Sequence, residues 1–293
     1  MLKSYRGQTY SRESTAAAIL PTTIWSSMLD LEFAQLTDTG PTREHNEDYI
    51  GYVAPEDQDR LRTHGWLFAL ADGVGGHAQG EVASRAAIES VLSGFREAPR
   101  DEPLGALLQR LVRMANTRVF DAALAAGREG AGMCTTIVTC GLRYDRLVVA
   151  HVGDSRCYLI RKGETQVLTR DHTVASEHAR MGLLTAQEAA EADTRHILSR
   201  SLGGGISVSV EVNDYQIFAG DMLVMCSDGL HGAVTSSEIA AIARPEADLQ
   251  KAARRLVDLA NLQDGGDNVS VQLVRVRGVE RVGMYRGRPY KLR

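Results

Sequence analysis

Cysteine is scarce in this 293-residue chain, and its placement excludes two common uses of the residue. The four present are Cys134, Cys140, Cys157 and Cys226, and no two of them form a Cys-x-x-Cys pair. This spacing argues against a structural zinc site and against a disulfide framework. Each lies in or beside an apolar run, where a free cysteine usually serves as a small core residue. We therefore expect core thiols and a reducing, cytoplasmic location.

Long hydrophobic runs and an excess of basic charge are also missing. No apolar stretch approaches the roughly 20 residues that a membrane-spanning helix needs. The chain holds 33 Lys and Arg against 37 Asp and Glu, a formal net charge of -4. Binding to a nucleic-acid backbone is therefore disfavoured. A hydrophobic fraction of 44% and a charged fraction of 24% are typical of a globular protein with a full core.

The two ends of the chain differ in composition from the middle. Residues 1–30 carry three basic residues and an apolar patch over 16–20, which is shorter than the about 7–15 apolar residues of a secretory signal. The prediction for residues 1–30 is a disordered extension, with a transit peptide as the alternative. Residues 277–293 are predicted to form a basic tail, which is either solvated or binds an acidic partner or nucleic acid.

Hydrophobic patterning divides the middle of the chain into strands and helices. Short runs rich in Val, Ile, Thr and Tyr are typical of strands, and longer Ala-, Leu- and Arg-rich stretches are typical of helices. The predicted strands cover residues 65–71, 134–142, 146–152, 155–160, 207–217, 221–227 and 268–276, and the helical blocks cover 78–95, 103–126, 174–193 and 236–260. Strictly alternating strand-helix units are absent from this order. It therefore predicts an α+β domain or a layered sheet-and-helix domain.

Five aspartates lie at the ends of predicted strands, next to glycine or polar turn residues. They are Asp48, Asp72, Asp154, Asp228 and Asp267. Hard cations such as Mg²⁺ and Mn²⁺ prefer carboxylate, carbonyl and water oxygens, and a glycine lets its own carbonyl come close. A single Asp-Gly pair is an ordinary turn, so only the collective pattern indicates a metal site. Spacing along the chain does not show that the five converge.

The glycine-rich segment after the strand 65–71 has a second interpretation. Residues 73–78, Gly-Val-Gly-Gly-His-Ala, fit the G-x-G-x-x-A pattern of a dinucleotide-binding turn. That fold needs a second strand that ends in an acidic residue about 20 positions later. Here the helical block 78–95 leads to another helical block instead. The dinucleotide interpretation is therefore disfavoured.

Seven short motifs occur in order along the chain. They are Arg43-x-x-Asn-Glu-Asp48, Ala71-Asp-Gly-Val-Gly-Gly-His77, Gly132-Met-Cys-Thr-Thr136, Val152-Gly-Asp-Ser-Arg156, Leu168-Thr-Arg-Asp-His-Thr173, Cys226-Ser-Asp-Gly-Leu230 and Asp267-Asn-Val-Ser270. The series resembles the bacterial branch of the metal-dependent serine/threonine protein phosphatases, the type 2C or PPM family. The resemblance spans residues 31–276. It implies a four-layer α-β-β-α sandwich, in which two central antiparallel sheets carry a binuclear metal site at one end.

The resemblance implies separate roles for the aspartates. Asp72 would bridge two Mn²⁺ or Mg²⁺ ions, with the carbonyl of Gly73 as a further ligand. Asp228 and Asp267 would hold one ion. Asp48 would help to hold the other side of the pair, with some of the ligation passing through water.

Further residues match family positions around this pair of ions. Asp154 matches a position that is linked in bacterial members to a third, weaker metal. Arg43 matches the residue that grips the substrate phosphate, a role that suits a permanently charged bidentate donor. The predicted catalytic residues are Arg43 and the four aspartates that would bind the two metal ions. Glu47 and Asn268 resemble groups that orient ligands and waters.

The chain departs from the family pattern at several positions. Val74 stands where eukaryotic members often have a histidine proposed as general acid, so the proton for the leaving group would come from water or another residue, with His77 as a candidate. Cys134 occupies a place where the family usually has glycine, and we expect little functional effect.

His172 is expected to tie a loop together rather than bind metal. Residues 174–197 occupy the place of a variable flap, which sets substrate choice or simply covers the sheet.

The activity implied by the resemblance is hydrolysis of phosphoserine and phosphothreonine in proteins by a metal-activated water. No covalent enzyme intermediate is needed, so no nucleophilic cysteine or serine is needed. The expected partners are phosphorylated proteins and a bacterial serine/threonine kinase that the enzyme opposes, and the expected state is a monomer. The alternative is a catalytically weak relative that binds phosphoproteins or regulates. Retention of the five predicted catalytic residues favours the enzyme.

Overall fold

The computed structural model describes residues 29–74, 78–100, 102–128, 130–285 and 288–291. Apart from Leu29 and Asp30, the extension predicted for residues 1–30 lies outside the described residues, and so does His77. The strands in chain order are β1 (Leu29–Asp38), β2 (Asp48–Val53), β3 (Trp66–Val74), β4 (Cys134–Thr135), β5 (Ile137–Arg143), β6 (Arg146–Val152), β7 (Arg156–Arg161), β8 (Glu164–Val167), β9 (Glu211–Gln216), β10 (Met222–Cys226), β11 (Val269–Val279), β12 (Val282–Tyr285) and β13 (Arg288–Lys291). The helices are α1 (Gln58–Thr63), α2 (Ala78–Arg96), α3 (Leu104–Ala125), α4 (Val174–Arg180), α5 (Ala186–Glu191), α6 (Asp228–His231), α7 (Ser236–Ala243) and α8 (Leu249–Gln263), and a 3-10 helix covers Asp193–His196.

The strands form two antiparallel sheets and a separate hairpin. The first sheet has the order β1-β11-β10-β7-β8, and the second has the order β2-β3-β5-β6-β9, with β4 beside β3. β12 and β13 pair with each other as a two-stranded ribbon. In the first sheet, β1 runs along β11 from Leu29 opposite Val279 to Asp38 opposite Val269. The first and last strands of the sandwich are therefore neighbours.

Apolar side chains on both faces of each sheet create the layers. In β3, Leu67, Ala69 and Ala71 belong to the core under α2 and α3, whereas Phe68 and Leu70 belong to the core between the two sheets. This alternation is the two-residue period of a strand that is buried on both faces. β10 alternates in the same way between the central core and the core under α7 and α8. The four-layer α-β-β-α sandwich is thereby confirmed.

Two predicted helical blocks are each divided into shorter helices. In the block 174–193, Gly182 adopts a φ of +74° after α4, and Thr185 begins α5 with a capping box. The block 236–260 is divided between α7 and α8, because Asp248 caps a new helix with its side chain. Among the described residues, no helix is both long enough and apolar enough to cross a membrane.

The folded domain extends further at both ends than the predicted bounds of 31 and 276. β1 begins at Leu29 and pairs with the end of β11 at Val279, with an irregularity in register between Asp30 and Leu31. The segment 277–293, predicted to be a basic tail, contains the end of β11 and the β12–β13 hairpin. Its first residues are therefore part of the first sheet.

Two cysteines meet in the core between the sheets. Cys140 on β5 and Cys157 on β7 belong to opposite sheets, and their Sγ atoms lie 3.5 Å apart. Contact with Cys140, followed by burial, raises the pKa of the Cys157 thiol, and burial also raises the pKa of Cys226 and of Cys134. All four are free, and Cys134 is the one that is only partly buried. The expected core placement is thus found for Cys140, Cys157 and Cys226.

We expect thiol reagents to distinguish Cys134 from the other three cysteines. In the native protein, an aromatic disulfide reagent should react with at most one thiol per chain, because burial blocks access and a raised pKa lowers the fraction of reactive thiolate. In guanidinium chloride all four thiols should react. The Cys134→Ser variant is the control and should abolish the native-state reaction. Fast reaction of two or more thiols in the native protein would contradict a closed core between the sheets.

Candidate active site

The second sheet places two aspartates side by side at one end of the sandwich. Asp48 is the first residue of β2, and Asp72 lies directly opposite it near the end of β3, so the two side chains share one face of the sheet. The backbone of Asp72 is held by two hydroxyl groups. Its N–H donates to Thr136 Oγ1 at 3.0 Å, and its carbonyl oxygen accepts from Thr135 Oγ1 at 2.7 Å. Asp72 is therefore fixed in position.

Gly73 follows Asp72 at a point where backbone segments approach closely. Its N–H donates to the carbonyl oxygen of Glu47 at 3.1 Å. A Cβ at this position would lie 2.1 Å from the carbonyl oxygen of Gly80 in α2 and 2.7 Å from that of Glu47. Any other residue would push these segments apart. Packing alone thus requires glycine here, whether or not its carbonyl binds a metal.

The first sheet supplies two more aspartates at the same end. Asp228 begins α6 directly after β10, and Asp267 stands just before β11. Ser227 Oγ donates to Asp48 Oδ2 at 2.8 Å, which joins the two sheets. The carboxyl groups of Asp72 and Asp228 are near enough to shift each other's pKa. The structure therefore brings together all four aspartates that were predicted to bind the two metal ions.

Burial and neighbouring carboxyl groups disfavour ionisation in this cluster, although Asp72 by itself lowers the pKa of Asp228. Burial is the largest cause for Asp72, and Asp48, Asp228 and Asp154 add to it, so the pKa of Asp72 lies well above its usual value. Burial, followed by Asp228 and Asp267, raises the pKa of Asp48 to about 7. Burial, followed by Asp267, also raises the pKa of Asp228. A buried cluster of carboxylates needs positive charge in order to ionise, and an oxygen donor set of this kind fits hard divalent ions.

Asp154 lies beside this set, in the turn between β6 and β7. Its side chain is buried, and burial, followed by the charges of Asp228 and Asp171, raises its pKa to about 7. Nε2 of His231 in α6 lies 3.0 Å from the carbonyl oxygen of Asp154 and ties the turn to that helix. The charge of Asp228 thus acts on the carboxyl group of Asp154.

Arg43 stands at the rim of the carboxylate cluster. Its Nε donates to the carbonyl oxygen of Gly266 at 3.0 Å, and its Nη2 forms an ion pair with Asp267 Oδ2 at 2.9 Å. With 47% of its side chain exposed, Arg43 is accessible to an anion from solvent. The structure therefore places the predicted phosphate-binding residue next to the predicted metal ligands.

Asn268 and Glu47 join the loops around the site. Asn268 Oδ1 accepts from the Glu47 N–H at 2.8 Å, and its Nδ2 donates to the carbonyl oxygens of Thr39 and His45, both at 2.9 Å. Glu47 Oε1 is buried and has no hydrogen-bond partner among the described residues. Burial raises the pKa of this carboxyl group. A buried acceptor of this kind normally has a donor, and a water molecule in the site would supply one.

Hydroxyl side chains with no role predicted from the sequence hold the site in place. Thr136 Oγ1, which accepts from Asp72, also lies 2.7 Å from Ser155 Oγ, and Ser227 Oγ accepts from the Ser270 N–H at 3.0 Å. Several of them directly adjoin a candidate ligand, as in Asp154-Ser155 and Ser227-Asp228. That adjacency is the signal by which they could have been found.

The positions that depart from the family pattern lie around the same end. Val74 is exposed at the end of β3 and pairs with Cys134 in β4. His172 is fully buried, and its Nδ1 accepts from the Gly153 N–H at 3.1 Å. This bond ties a loop together, as expected. The flap over 174–197 consists of α4, α5 and the 3-10 helix.

The chain resembles known proteins over most of its length. The family model of Protein phosphatase 2C matches residues 45–264. The Serine/threonine phosphatase stp of Listeria innocua is 32% identical over 257 residues, which are 86% of this chain and 96% of that protein. Protein phosphatase PhpP of Streptococcus pneumoniae is 30% identical over 246 residues, 83% of this chain and 97% of that protein.

Solved structures share the fold as well as the sequence. The crystal structure of the Mycobacterium tuberculosis serine/threonine phosphatase PstP/Ppp has a TM-score of 0.75 and 33% identity, covering 84% of this chain and 99% of that one. The catalytic domain of PstP in complex with two manganese ions has a TM-score of 0.72 and 33% identity, covering 84% of this chain and 98% of that one. Because the family model and full-length relatives both match, this chain belongs to the protein phosphatase 2C family and is a protein serine/threonine phosphatase of the bacterial type.

Proposed function

We propose that the carboxylate cluster where the two sheets meet holds two divalent metal ions and is the active site of this phosphatase. Asp72 would bridge the two ions, and the carbonyl of Gly73 would be a further ligand. Asp228 and Asp267 would hold one ion, and Asp48 would help to hold the other side of the pair. The observation that carries this proposal is the convergence of four carboxyl groups from both sheets, whose burial and proximity raise the pKa of three of them.

The donor set favours Mn²⁺ or Mg²⁺ over softer metals, because it consists of carboxylate and carbonyl oxygens. The two manganese ions in the PstP catalytic domain support the same number of ions here. Asp154 and Asp228 are proposed to hold a third ion more weakly, at the edge of the cluster. Bound ions of this kind supply an activated water and neutralise the charge on phosphate oxygens.

Arg43 is proposed to bind the phosphate group of the substrate. Its guanidinium keeps its charge at every relevant pH and matches phosphate as a bidentate donor. The contacts of Nε with Gly266 and of Nη2 with Asp267 hold the plane of the guanidinium before substrate arrives. This orientation lowers the entropy that is lost when the phosphate binds.

The remaining polar groups are proposed to orient the metal ligands. The proton for the leaving group needs a separate source. Asn268 and Glu47 hold the loop that precedes Asp48, and Ser227 holds the carboxyl group of Asp48. Val74 has no proton to give. Since its side chain is 42% exposed, we propose that solvent water protonates the leaving alkoxide.

The substrates are phosphorylated proteins, and the proposed counterpart is a serine/threonine kinase whose products this enzyme dephosphorylates. A cytoplasmic monomer is the proposed state, and the free thiols are compatible with a reducing compartment. The flap is proposed to contact the polypeptide around the phosphorylated residue. Met181 and Leu183, between α4 and α5, are both exposed and offer apolar contact surface there.

Removal of metal is expected to abolish the activity. Phosphate release from a phosphothreonine peptide should proceed with Mn²⁺ or Mg²⁺ and should vanish in excess EDTA, because the carboxylate cluster alone provides neither a metal-activated water nor positive charge. The Asp228→Ala variant should be inactive with either ion. Asp258→Asn is the matched control, since Asp258 is exposed on α8 and its variant should retain activity.

Two results would contradict the proposal in different ways. Turnover that persists in EDTA, or in Asp228→Ala, would mean that the metal site is wrongly assigned. A folded, Mn²⁺-loaded protein that releases no phosphate from several phosphopeptides would instead support the alternative, a relative that binds phosphoproteins or regulates.

A further inference from the structure

His172 lies at the junction between the turn that carries Asp154 and the base of the flap. Its ring is fully buried. The ring Nδ1 accepts from the Gly153 N–H at 3.1 Å, and the backbone N–H of His172 donates to the Gly153 carbonyl oxygen at 3.0 Å. One residue therefore satisfies both backbone polar groups of Gly153, the residue directly before Asp154.

The hydrogen bonds of the ring define its tautomer. Because an amide N–H donates to Nδ1, that nitrogen carries the lone pair, and the ring proton lies on Nε2. Nε2 lies 3.3 Å from Glu211 Oε2, which accepts a hydrogen bond from the Nε2–H group. Burial, followed by the neighbouring His151 ring, lowers the pKa of His172 to about 4, so the ring is neutral near pH 7. The acceptor at Nδ1 is thus present under ordinary conditions.

Gly153 needs such support because its conformation is unusual and its surroundings are crowded. Its φ of +104° lies in a region that favours glycine, and a Cβ there would lie 2.6 Å from the Thr136 side chain. Thr136 in turn bonds both backbone polar groups of Asp72. A displacement of Gly153 would therefore move Asp154 and would disturb the support of Asp72.

The other side of His172 contacts the two ends of the flap. The carbonyl oxygen of His172 accepts from the Ser199 N–H at 2.8 Å, and the next residue, Thr173, forms an antiparallel bridge with Leu198. Arg200 Nη2 donates to Glu177 Oε1 in α4 at 2.6 Å. The flap segment thus begins and ends at backbone that is bonded to His172 or its neighbour.

The same ring belongs to a cluster that resembles a metal site only in composition. Ligand atoms of His151, His172 and Glu211 all lie within 4.8 Å of one another. The two imidazole rings, however, stack with centroids 4.7 Å apart and planes inclined by 12°, so their in-plane lone pairs run nearly parallel instead of converging. Arg170 pairs with Glu211, and a guanidinium nitrogen of Arg200 lies 3.3 Å from His172 Nε2. These two arginines already supply positive charge at the position where a bound cation would have to lie.

We propose that His172 is a positioning residue for the metal centre. Its Nδ1 acceptor fixes Gly153 and thereby positions Asp154 beside the carboxylate cluster, and its backbone links that turn to the base of the flap. This inference rests on the proposed metal site. Loss of the Nδ1 acceptor should weaken the ion held through Asp154 first, because that residue directly follows the released backbone.

Two variants separate the acceptor from the bulk of the ring. His172→Asn keeps a side-chain oxygen near the position of Nδ1, whereas His172→Leu fills the space without an acceptor. If the leucine variant does not fold, His172→Gln replaces it, since its longer side chain places the oxygen nearer Nε2. His64→Leu is the control: His64 is buried and its Nε2 lies 2.8 Å from the Ala98 carbonyl oxygen, beside the end of β3 opposite to Asp72.

The primary measurement is Mn²⁺ binding to the full chain by calorimetry, without substrate. His172→Leu should weaken the weakest Mn²⁺ site by roughly tenfold or more and should raise the Mn²⁺ concentration needed for half-maximal phosphate release. His172→Asn should bind Mn²⁺ as the original protein does. His64→Leu should lower Tm without altering Mn²⁺ binding.

Contrary outcomes distinguish this inference from the proposed function. Unchanged Mn²⁺ binding in His172→Leu, together with loss of the weak site in Asp154→Asn, would overturn the role of His172 and leave the metal site intact. Equal losses of Mn²⁺ affinity in His172→Leu and His64→Leu would reduce His172 to a general stabilising residue. Absence of Mn²⁺ binding by the unaltered protein would overturn the proposed metal site itself.

Discussion

Asp72→Asn is expected to remove nearly all phosphatase activity while making the metal-free protein more stable. Asp72 is the proposed bridge between the ions, so its loss should lower kcat/KM on the order of 10³-fold, about 4 kcal/mol of transition-state stabilisation. The same carboxyl group is buried among Asp48, Asp228 and Asp154, which raise its pKa. A neutral amide of the same size needs neither a proton nor a buried charge, and Tm in EDTA near pH 7 should therefore rise.

The two readouts must move in opposite directions. Asp214→Asn is the matched control, because Asp214 is exposed on β9 and pairs with Arg146 at the surface; it should change neither activity nor Tm appreciably. An Asp72→Asn protein that is less stable in EDTA would show that repulsion does not dominate the metal-free cluster. Retained turnover would show that Asp72 is not the bridge.

Mn²⁺ is expected to stabilise the protein more at pH 7.5 than at pH 5.5. The folded, metal-free protein holds protons on Asp48 and Asp154, whose pKa values are raised to about 7, well above the value of an unfolded aspartate. The stability that these protons contribute is present at low pH and is lost as pH rises through the folded pKa. A bound Mn²⁺ ion must also displace these protons. For each proton displaced, Mn²⁺ binding becomes stronger by about 1.4 kcal/mol for every unit by which the pH rises, until the pH reaches the folded pKa.

The measurement is the difference in Tm with and without saturating Mn²⁺ across this pH range. Titrations elsewhere in the chain occur in both samples and cancel in the difference. Asp154→Asn, which removes one of the raised carboxyl groups, should give a shallower pH dependence. A stabilisation by Mn²⁺ that is equal at both pH values would contradict the protonated cluster.

Local patterning predicted most of the sheet elements because β3, β5, β6 and β10 are short and continuously apolar. The flap was predicted less well, since its composition is helical throughout. The interruption at Gly182 depends on a positive φ that a single glycine in a helical pattern does not reveal. The pairing of β1 with the far end of β11 beyond residue 276 likewise depends on tertiary contacts.

Residues for the candidate site could be proposed from the sequence, but their arrangement could not. Resemblance identified the aspartates, whereas the chain separates Asp48 from Asp267 by most of its length. Their convergence follows from the register that sets Asp48 opposite Asp72 and from the Ser227–Asp48 bond between sheets. Neither of these can be derived from spacing. The support given by Thr136 and His172 also depends on which loops meet in space.

The pairing of β1 with β11 has a consequence for how the enzyme is made. β1 is among the first described elements to be synthesised, but its partner β11 follows roughly 230 residues later, a wait of on the order of 10–50 s at typical translation rates. Throughout this time β1 lacks its neighbour, and Asp267 has not yet joined the other aspartates of the cluster. The first sheet is therefore incomplete until almost the whole domain has been synthesised, and its first strand lacks its partner for most of that time.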